Sequence, residues 1–243
     1  MPLQEDGVGE AVARDMPVTI HAAPARDLTT AEIERWRAVP VAVAVDLGRD
    51  VGQIDPAIRP LRPPGQQPRL FGRAVTVFCE PPDFGAVLHA LDLVEPGDVL
   101  MIAAAGHAET AMIGEILGGH LRRRGARGVV CDGAVRDVGT LARWDDFAVF
   151  ARWITPRGPS SAERGAVNLP VVIGGRIVTP GDLVIGDDDG LVALSPATVR
   201  ARIADAEARL AREAGWQASL AGGRSVRETF GLSSARRSAE SEN

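Results

Sequence analysis

Apolar and polar residues follow two different periods through the middle of the chain. Short continuous apolar runs predict buried strands, and between them apolar residues recur as they do on one face of a helix. The predicted strands are 69–79, 97–106, 127–132 and 147–153, and the predicted helices are 83–94, 109–125 and 138–144. Asp83 is placed to cap the first of these helices. Strands that alternate with helices of this length predict βαβ units and an at least partly parallel sheet.

A different pattern begins near residue 160, where short apolar runs are separated by residues typical of tight turns. Paired turn residues favour hairpins, so we expect an antiparallel sheet packed on the first sheet. The acidic triplet Asp187-Asp188-Asp189 is followed by Gly190, which favours a turn over a metal site. Ser195-Pro196 then begins a long helix, with proline near its first position. The other turn signals are Gly174-Gly175 and Pro180-Gly181.

The chain is predicted to form one domain, residues 29–230, with an irregular segment at each end. Residues 1–28 show no clear periodicity and form a predicted arm, and two threonines then cap a short helix. The serine-, arginine- and glutamate-rich residues 231–243 have the composition of a disordered tail. The run 39–50 leaves two structures open, because its alternation suggests a strand and its alanine content permits a helix.

The amino-acid composition limits the classes of function that this protein can have. The 243 residues are 45% hydrophobic and 24% charged, which is enough apolar material for a substantial core. A formal net charge of -5 argues against nucleic acid as a partner, because duplex-binding proteins usually present a basic face. Cys79 and Cys131 both lie in apolar runs, which predicts buried free thiols in a reducing compartment.

The ends and the apolar runs of the chain also bear on its location. The N-terminal residues are acidic and lack the apolar stretch of a signal peptide. No apolar run approaches the roughly 20 residues that a membrane-spanning helix needs. We therefore expect a cytoplasmic protein with no membrane partner.

The segment from Gly114 to Asp137 contains candidate catalytic residues. It carries an acid, Glu115, near its start and Arg136-Asp137 at its end. In a parallel βαβ unit the helix begins, and the second strand ends, at the same edge of the sheet. A helix of about ten residues descends roughly 15 Å, and a strand of about five residues returns roughly 16 Å. We therefore expect the acid and the Arg-Asp pair to share the edge where open α/β sheets bind ligands.

Three glycines in the predicted helix allow two interpretations. Gly114, Gly118 and Gly119 would each cost about 1 kcal/mol relative to alanine at exposed helical positions. Either the helix packs closely on the sheet, or it begins near Gly114 instead of Glu109. The second interpretation leaves backbone amides free near Glu115, where an anion such as a substrate carboxylate can bind.

The residue types at this edge suit the stabilisation of negative charge. A carboxylate such as Asp137 is a hard oxygen ligand, and Mg²⁺ often takes only one or two carboxylates and keeps several waters. The forked guanidinium of Arg136 can bind a carboxylate or an enolate oxygen. Together with Glu115, these groups can stabilise charge that develops beside a carbonyl. An Arg-Asp pair after a strand is, however, also common as a surface pair or a helix cap.

Four segments in consistent order resemble the RraA-like family over roughly residues 30–215. The run DGxVRD, preceded by G[DE]xL, is the most specific feature of the resemblance. This family holds the 4-hydroxy-4-methyl-2-oxoglutarate / 4-carboxy-4-hydroxy-2-oxoadipate aldolases and the regulator of ribonuclease activity A. The segments are GDVLMI, GEILGGHLRRRGARGVVCDGAVRD, FAVFARWITPRGP and VNLPVVIGGRIVTPGDLVIGDDDGLVALSPA.

The resemblance implies roles for individual residues, because the aldolases carry an acid, twenty intervening residues and then Arg-Asp, as this chain does. Asp137 would hold Mg²⁺ or Mn²⁺ with waters completing the shell, and Glu115 would bind one of those waters. Arg136 would contact the carbonyl or leaving oxygen of the substrate. The backbone amides of Ile116 and Leu117 would bind the carboxylate of the 2-oxo acid.

The resemblance also implies a reaction, a fold and an assembly. The reaction would be cleavage of a 4-hydroxy-2-oxo diacid to pyruvate through a metal-stabilised enolate, with oxaloacetate decarboxylation as a side activity. The fold would be an α/β sandwich of the swivelling phosphohistidine-domain type, assembled as trimers or hexamers with sites between subunits. The alternative is a non-catalytic regulator that binds a ribonuclease. The acid at position 115 beside Arg-Asp favours the enzyme, because a binding surface needs no metal site.

The chain departs from the family pattern in two places. Glu115 is one methylene longer than the aspartate of the best-known aldolases, and the loop AAAGHAET replaces a glycine-rich form. His107 in that loop is either a general acid or base or a histidine without a role. Arg152 or Arg157 is a further candidate for contacting an anion.

Overall fold

A computed structural model describes residues 17–48 and 51–235. The described strands are β1 Thr19–Ile20, β2 Gly52–Gln53, β3 Arg59–Pro60, β4 Leu70–Phe78, β5 Asp98–Ile113, β6 Gly128–Val135, β7 Ala148–Ile154, β8 Ala166–Val167, β9 Val171–Ile173, β10 Arg176–Val178, β11 Leu183–Asp187 and β12 Gly190–Leu194. The helices are α1 Thr30–Trp36, α2 Val41–Val45, α3 Gly85–Ala90, α4 Glu115–Arg123, α5 Val138–Leu141, α6 Pro196–Ala221 and α7 Val226–Phe230.

A mixed sheet forms the centre of the described fold, with the strand order β2-β12-β11-β4-β5-β6-β7-β3. Strands β4 to β7 are parallel to one another, and α3, α4 and α5 lie in the connections between them. The predicted α/β class, with parallel units followed by antiparallel strands, is confirmed.

The antiparallel strands after residue 160 divide between two sheets, and only β9 and β10 form the separate antiparallel sheet that the sequence predicted. Strands β11 and β12 extend the parallel sheet by pairing on the free edge of β4. The hairpin of β9 and β10 forms the second, two-stranded sheet. The acidic triplet lies at the turn between β11 and β12, as predicted, and the Asp187 carboxylate accepts hydrogen bonds from the Val41 and Asp189 amides.

The two faces of the sheet are covered by different layers, which follows from the alternation of side chains along each strand. On β4, Val75 and Val77 belong to the cluster that packs against α3 and α4. Leu70 and Ala74, at the alternate positions, belong to the cluster beneath the β9–β10 hairpin. Helices α1, α2 and α6 cover the antiparallel half on the helical side, where Trp36 is fully buried. The parallel strands are therefore buried on both sides.

Local signals explain most helix starts. Thr29 caps α1, as the sequence predicted, and the structure shows that this cap forms a capping box with Glu32. Ser195 caps α6 through the Thr198 amide at 3.1 Å. The ambiguous run 39–50 contains helix α2, with residues 49 and 50 outside the described residues. Asp83 lies one residue before the N-cap of α3 and accepts a hydrogen bond from the Gly85 amide at 2.8 Å.

The predicted helix 109–125 was wrong for its first five residues, which belong to strand β5. Residues 111–113 are buried and pair with the end of β6, after register shifts that begin beyond Ala103. Ala105 and Gly106, with φ of 48° and 74°, turn the chain in that irregular stretch. Apolar spacing alone could not reveal this, because the same residues satisfy a buried strand.

The structure also bears on what the sequence predicted for the two cysteines and for the two ends of the chain. Cys79 and Cys131 are buried free thiols, as predicted, and burial raises the pKa of Cys79 to about 12. The described part of the predicted arm, residues 17–28, contains the short strand β1, which pairs with β8. The rest of the arm and residues 236–243 of the predicted tail lie outside the described residues. None of the helices in the described part of the chain combines the length and apolar character that crossing a bilayer requires.

Candidate active site

The acid and the Arg-Asp pair meet at one edge of the sheet, as the βαβ geometry predicted. Strand β5 ends at Ile113, directly before α4, and strand β6 ends at Val135, directly before Arg136. The Arg136 amide donates to the Ile113 carbonyl at 3.1 Å, which joins the two strand ends. The Glu115 amide donates to Oδ2 of Asp137 at 3.0 Å. The first residue of α4 therefore contacts the carboxylate at the start of α5.

Asp137 presents one occupied and one open carboxylate oxygen. Its backbone is left-handed, with φ 58° and ψ 31°, a conformation in which aspartate is several-fold enriched among non-glycine residues. Oδ2 lies 3.6 Å from Nε of Arg136 and also accepts the Glu115 amide. Oδ1 accepts no hydrogen bond from the described residues, and the side chain is 37% exposed. The open oxygen is therefore available to a ligand from solvent.

Two glycines make room for this pair. A Cβ on Gly114 would lie 2.4 Å from Oδ2 of Asp137 and 2.9 Å from Cγ of Arg136. A Cβ on Gly158 would lie 2.6 Å from Nη1 of Arg136. An added side chain at position 114 would displace Asp137 or Arg136, whereas at position 158 only the flexible end of Arg136 would have to move. Sequence analysis did not identify Gly158, although it follows β7, and parallel strands end at one edge.

The glycines within α4 satisfy both interpretations made from the sequence. The helix begins at Glu115, directly after its N-cap Gly114. Gly118 and Gly119 also pack closely, since a Cβ on Gly118 would lie 3.3 Å from the Trp144 ring. The amides of Ile116 and Leu117 donate to no acceptor among the described residues, as expected in the first turn of a helix. These amides are positioned to bind an anion.

The space at the site has two parts that share Ile116. A small pocket of about 30 Å³ lies beside Arg136 and Asp137, under Phe84 and Pro159. A larger open groove of about 580 Å³ begins at Glu115 and runs between α4 and α5. The small pocket and the groove therefore adjoin at Ile116.

The remaining sequence candidates lie in other arrangements. Nε2 of His107 accepts the Thr110 amide at 3.1 Å and lies 2.8 Å from the Thr110 hydroxyl, so this ring nitrogen is engaged within β5. Arg152 pairs with Asp132 at 2.7 Å and with Asp55 at 2.9 Å, and its side chain is only 16% exposed. Arg157 is exposed and has no side-chain partner in the described residues. Of the two arginines, only Arg157 remains open to an anion.

The donor set fits a hard divalent ion with a mostly aqueous shell. Among residues 17–48 and 51–235, no group of three or more His, Cys, Asp or Glu side chains is placed to hold a metal. Asp137 offers a single open carboxylate oxygen, and the exposed Glu115, whose amide contacts Oδ2, lines the adjoining groove. Mg²⁺ is typically bound through one or two carboxylates and several waters. The residues present are therefore compatible with Mg²⁺ or the similar Mn²⁺.

The described fold is an α/β sheet whose edge at the ends of β5 and β6 carries an acid and an Arg-Asp pair. The RraA-like family profile, described as Aldolase/RraA, matches residues 12–193. The chain belongs to this family, which confirms the resemblance found in the sequence. The match begins earlier than residue 30, where the resemblance was placed.

Individual relatives carry names from both branches of the family. A protein of Halalkalibacterium halodurans, provisionally named 4-hydroxy-4-methyl-2-oxoglutarate aldolase, is 32% identical over 162 residues, which cover 67% of this chain and 75% of that protein. The structure of Streptomyces coelicolor RraAS2, described as an unusual member of the RNase ES inhibitor RraA protein family, has a TM-score of 0.66 and 26% identity. The match covers 76% of this chain and 96% of the Streptomyces coelicolor chain.

A third structure supports the fold alone. An uncharacterized protein from Pseudomonas syringae pv. tomato has a TM-score of 0.74 at 24% identity, covering 84% of this chain and 94% of that one. The fold therefore extends over most of the chain.

Proposed function

We propose that this protein is a divalent-metal-dependent lyase that cleaves a 4-hydroxy-2-oxo diacid to pyruvate. The observation that carries the proposal is that the Glu115 amide and Nε of Arg136 both lie on Oδ2 of Asp137, which leaves Oδ1 open. A carboxylate oxygen, a guanidinium and two free amides at one solvent-accessible edge suit the binding of an anionic substrate. The relative provisionally named as an aldolase supports the same reaction class.

Asp137 would hold Mg²⁺ or Mn²⁺ through Oδ1, and Glu115 would orient a water of its shell. When bound, the ion supplies positive charge beside the 2-oxo group of the substrate. The amides of Ile116 and Leu117 would donate hydrogen bonds to the substrate C1 carboxylate. Arg136 would donate to the carbonyl or leaving oxygen, in the space that Gly114 and Gly158 leave around its side chain.

The reaction balances as a retro-aldol cleavage. The 4-hydroxyl group loses its proton, the bond between C3 and C4 breaks, and its electron pair moves toward the C2 oxygen. A proton then adds to C3, which gives pyruvate, and C4 leaves as the carbonyl carbon of a second product. The same electron movement applied to oxaloacetate releases carbon dioxide and pyruvate, so we expect decarboxylation as a side activity.

The test is pyruvate formation, coupled to lactate dehydrogenase and NADH. The protein is incubated with 4-hydroxy-4-methyl-2-oxoglutarate or with oxaloacetate, with Mg²⁺, with Mn²⁺ and with EDTA. We expect pyruvate with either metal, its loss in EDTA and its recovery when metal is restored. The absence of EDTA-sensitive pyruvate from both substrates would rule out the proposed activity.

A second proposal is a regulator that binds a ribonuclease, which the similarity to the Streptomyces coelicolor member of the RNase ES inhibitor family favours. Exposed apolar side chains near the site, Ile116 at 73% and Ile154 at 62%, provide a surface for such a partner. This function predicts inhibition of ribonuclease cleavage in EDTA as well as in Mg²⁺. Inhibition without any pyruvate formation would favour the regulator over the lyase.

A further inference from the structure

The larger groove leads directly away from the proposed site. Helix α5 begins after its N-cap Asp137, whose carbonyl accepts the Thr140 amide at 2.9 Å, and helix α4 begins beside it, because Oδ2 of Asp137 accepts the Glu115 amide. The groove between the two helices is lined by Ile116 and Gly119 from α4 and by Thr140 from α5. A substrate bound at Asp137 would extend its far end into this groove.

Arg123 places a guanidinium within the groove. Long side chains on a helix point back toward its N terminus, and Nη1 of Arg123 lies 3.5 Å from the position of a Cβ on Gly119. Gly119 is one helical turn beyond Glu115, an axial rise of about 5.4 Å to 6 Å. Ile116, Gly119 and Arg123 thus form one row on α4, and Ile116 also lines the pocket that contains Asp137.

Arg123 is also the groove arginine that lacks a protein partner. The neighbouring Arg122 pairs with Asp146 and lies over the Trp144 ring, 5.4 Å from its centroid. Arg123 makes no ion pair or hydrogen bond with any described residue, and it is exposed to solvent. The absence of a side chain at Gly119 lets the guanidinium lie close to the helix. Its charge is therefore available to an anion that enters the groove.

We propose that Arg123 binds the far carboxylate of the substrate and selects diacids over monoacids, an inference that rests on the proposed lyase function. In 4-hydroxy-2-oxo diacids, three or four carbon-carbon bonds of about 1.5 Å each separate the 2-oxo carbon from the distal carboxylate. This span is comparable with the one-turn distance along α4 from Glu115 to Gly119. Arg123 acts in binding only, and the reacting atoms remain at Asp137 and Arg136.

A pair of matched substrates separates the binding of the far carboxylate by Arg123 from the reaction at Asp137 and Arg136. The diacid 4-hydroxy-4-methyl-2-oxoglutarate and the monoacid 4-hydroxy-4-methyl-2-oxopentanoate differ only by a carboxylate in place of a methyl group. We expect Arg123→Gln to lower kcat/KM for the diacid by about 10- to 100-fold, mainly through KM, as expected for a lost charged hydrogen bond. The monoacid should be cleaved equally by both proteins, and Arg123→Lys should recover part of the loss.

Control measurements keep the outcomes distinct. Arg212→Gln changes an exposed arginine of α6 that has no ion pair among the described residues, and it should leave both substrates unaffected. Equal losses on diacid and monoacid, or no loss on either, would overturn the role of Arg123 while the lyase function stands. Wild-type protein that cleaves neither substrate would instead contradict the lyase function itself.

Discussion

At the scale of single residues, Gly114 is required by its neighbours. Its φ of −147° is ordinary extended backbone, which any residue adopts. The constraint is the 2.4 Å that would separate a Cβ from Oδ2 of Asp137, well inside van der Waals contact. Any side chain at position 114 must therefore displace the carboxylate that we propose as the metal ligand.

Gly114→Ala tests this constraint. We expect kcat/KM for pyruvate formation to fall at least roughly 100-fold, because misplacement of a catalytic group by about 1 Å has costs of that order. Steady-state kinetics with Mg²⁺ measures the effect, and circular dichroism confirms the fold. Gly139→Ala, in α5, is the matched control, since a Cβ there meets no atom within 4 Å. Equal activity of the two variants would show that the Gly114 contact is unimportant.

The site residues differ in how far the sequence could predict them. Glu115 and Arg136-Asp137 were placed together by the lengths of one helix and one strand, and the 3.0 Å contact agrees. Gly158 was missed because its role depends on where the Arg136 side chain lies. Sequence patterns encode backbone periods well, but they do not encode the packing of one side chain against a distant loop.

At the scale of secondary-structure elements, Asp83 joins helix α3 to a distant loop. Its buried carboxylate accepts hydrogen bonds from the Ser161 hydroxyl and from the Gly85, Glu163 and Arg164 amides. Burial by itself raises the pKa of Asp83, but these hydrogen bonds outweigh it and lower the pKa to about 2. The ionised form therefore stabilises the fold.

Asp83→Asn should lower the free energy of unfolding by about 2–3 kcal/mol at pH 7, because an amide cannot accept all four hydrogen bonds. The folded pKa is below the ordinary value of 3.8, so this stabilisation is present above about pH 4 and is lost as the pH falls toward about 2. Urea unfolding at several pH values measures the difference between wild type and variant. A difference that stays constant down to pH 2 would contradict the ionised network.

Element boundaries show a second limit of sequence reasoning. The helix predicted from residue 109 begins at Glu115, because the buried residues 111–113 complete β5 against β6. In contrast, the threonine cap of α1 and the start of α6 at Ser195-Pro196 were recognisable, because a cap is a short-range signal. Strand pairing depends on residues far apart in sequence, which local patterns do not reveal.

At the scale of the whole molecule, the order of strands was the least predictable feature. The sequence indicated antiparallel strands after residue 160, but not that β11 would pair with the edge of β4. That pairing joins the parallel and the antiparallel strands into one sheet. The candidate site lies at the edge of the sheet where the parallel strands β5 and β6 end. Apolar side chains near that edge, such as Ile154 and Trp153, are 62% and 49% exposed.

The family resemblance implies a homotrimer or homohexamer, and exposed apolar side chains of this size are commonly buried at subunit contacts. Light scattering coupled to size-exclusion chromatography would then give a mass three or six times that of the 25.6 kDa chain. A mass equal to one chain at micromolar concentration would contradict the expected assembly, and the site would then have to work within a single chain.

Whether Asp137 binds the metal is tested most directly by an anomalous difference map from crystals grown with Mn²⁺, collected for wild type and for Asp137→Asn. We predict a strong peak beside Oδ1 of Asp137 in the wild type, within reach of a water shared with Glu115, and its loss in the variant. A Mn²⁺ peak elsewhere with none at Asp137, or a peak that persists unchanged in the variant, would contradict the proposed metal site.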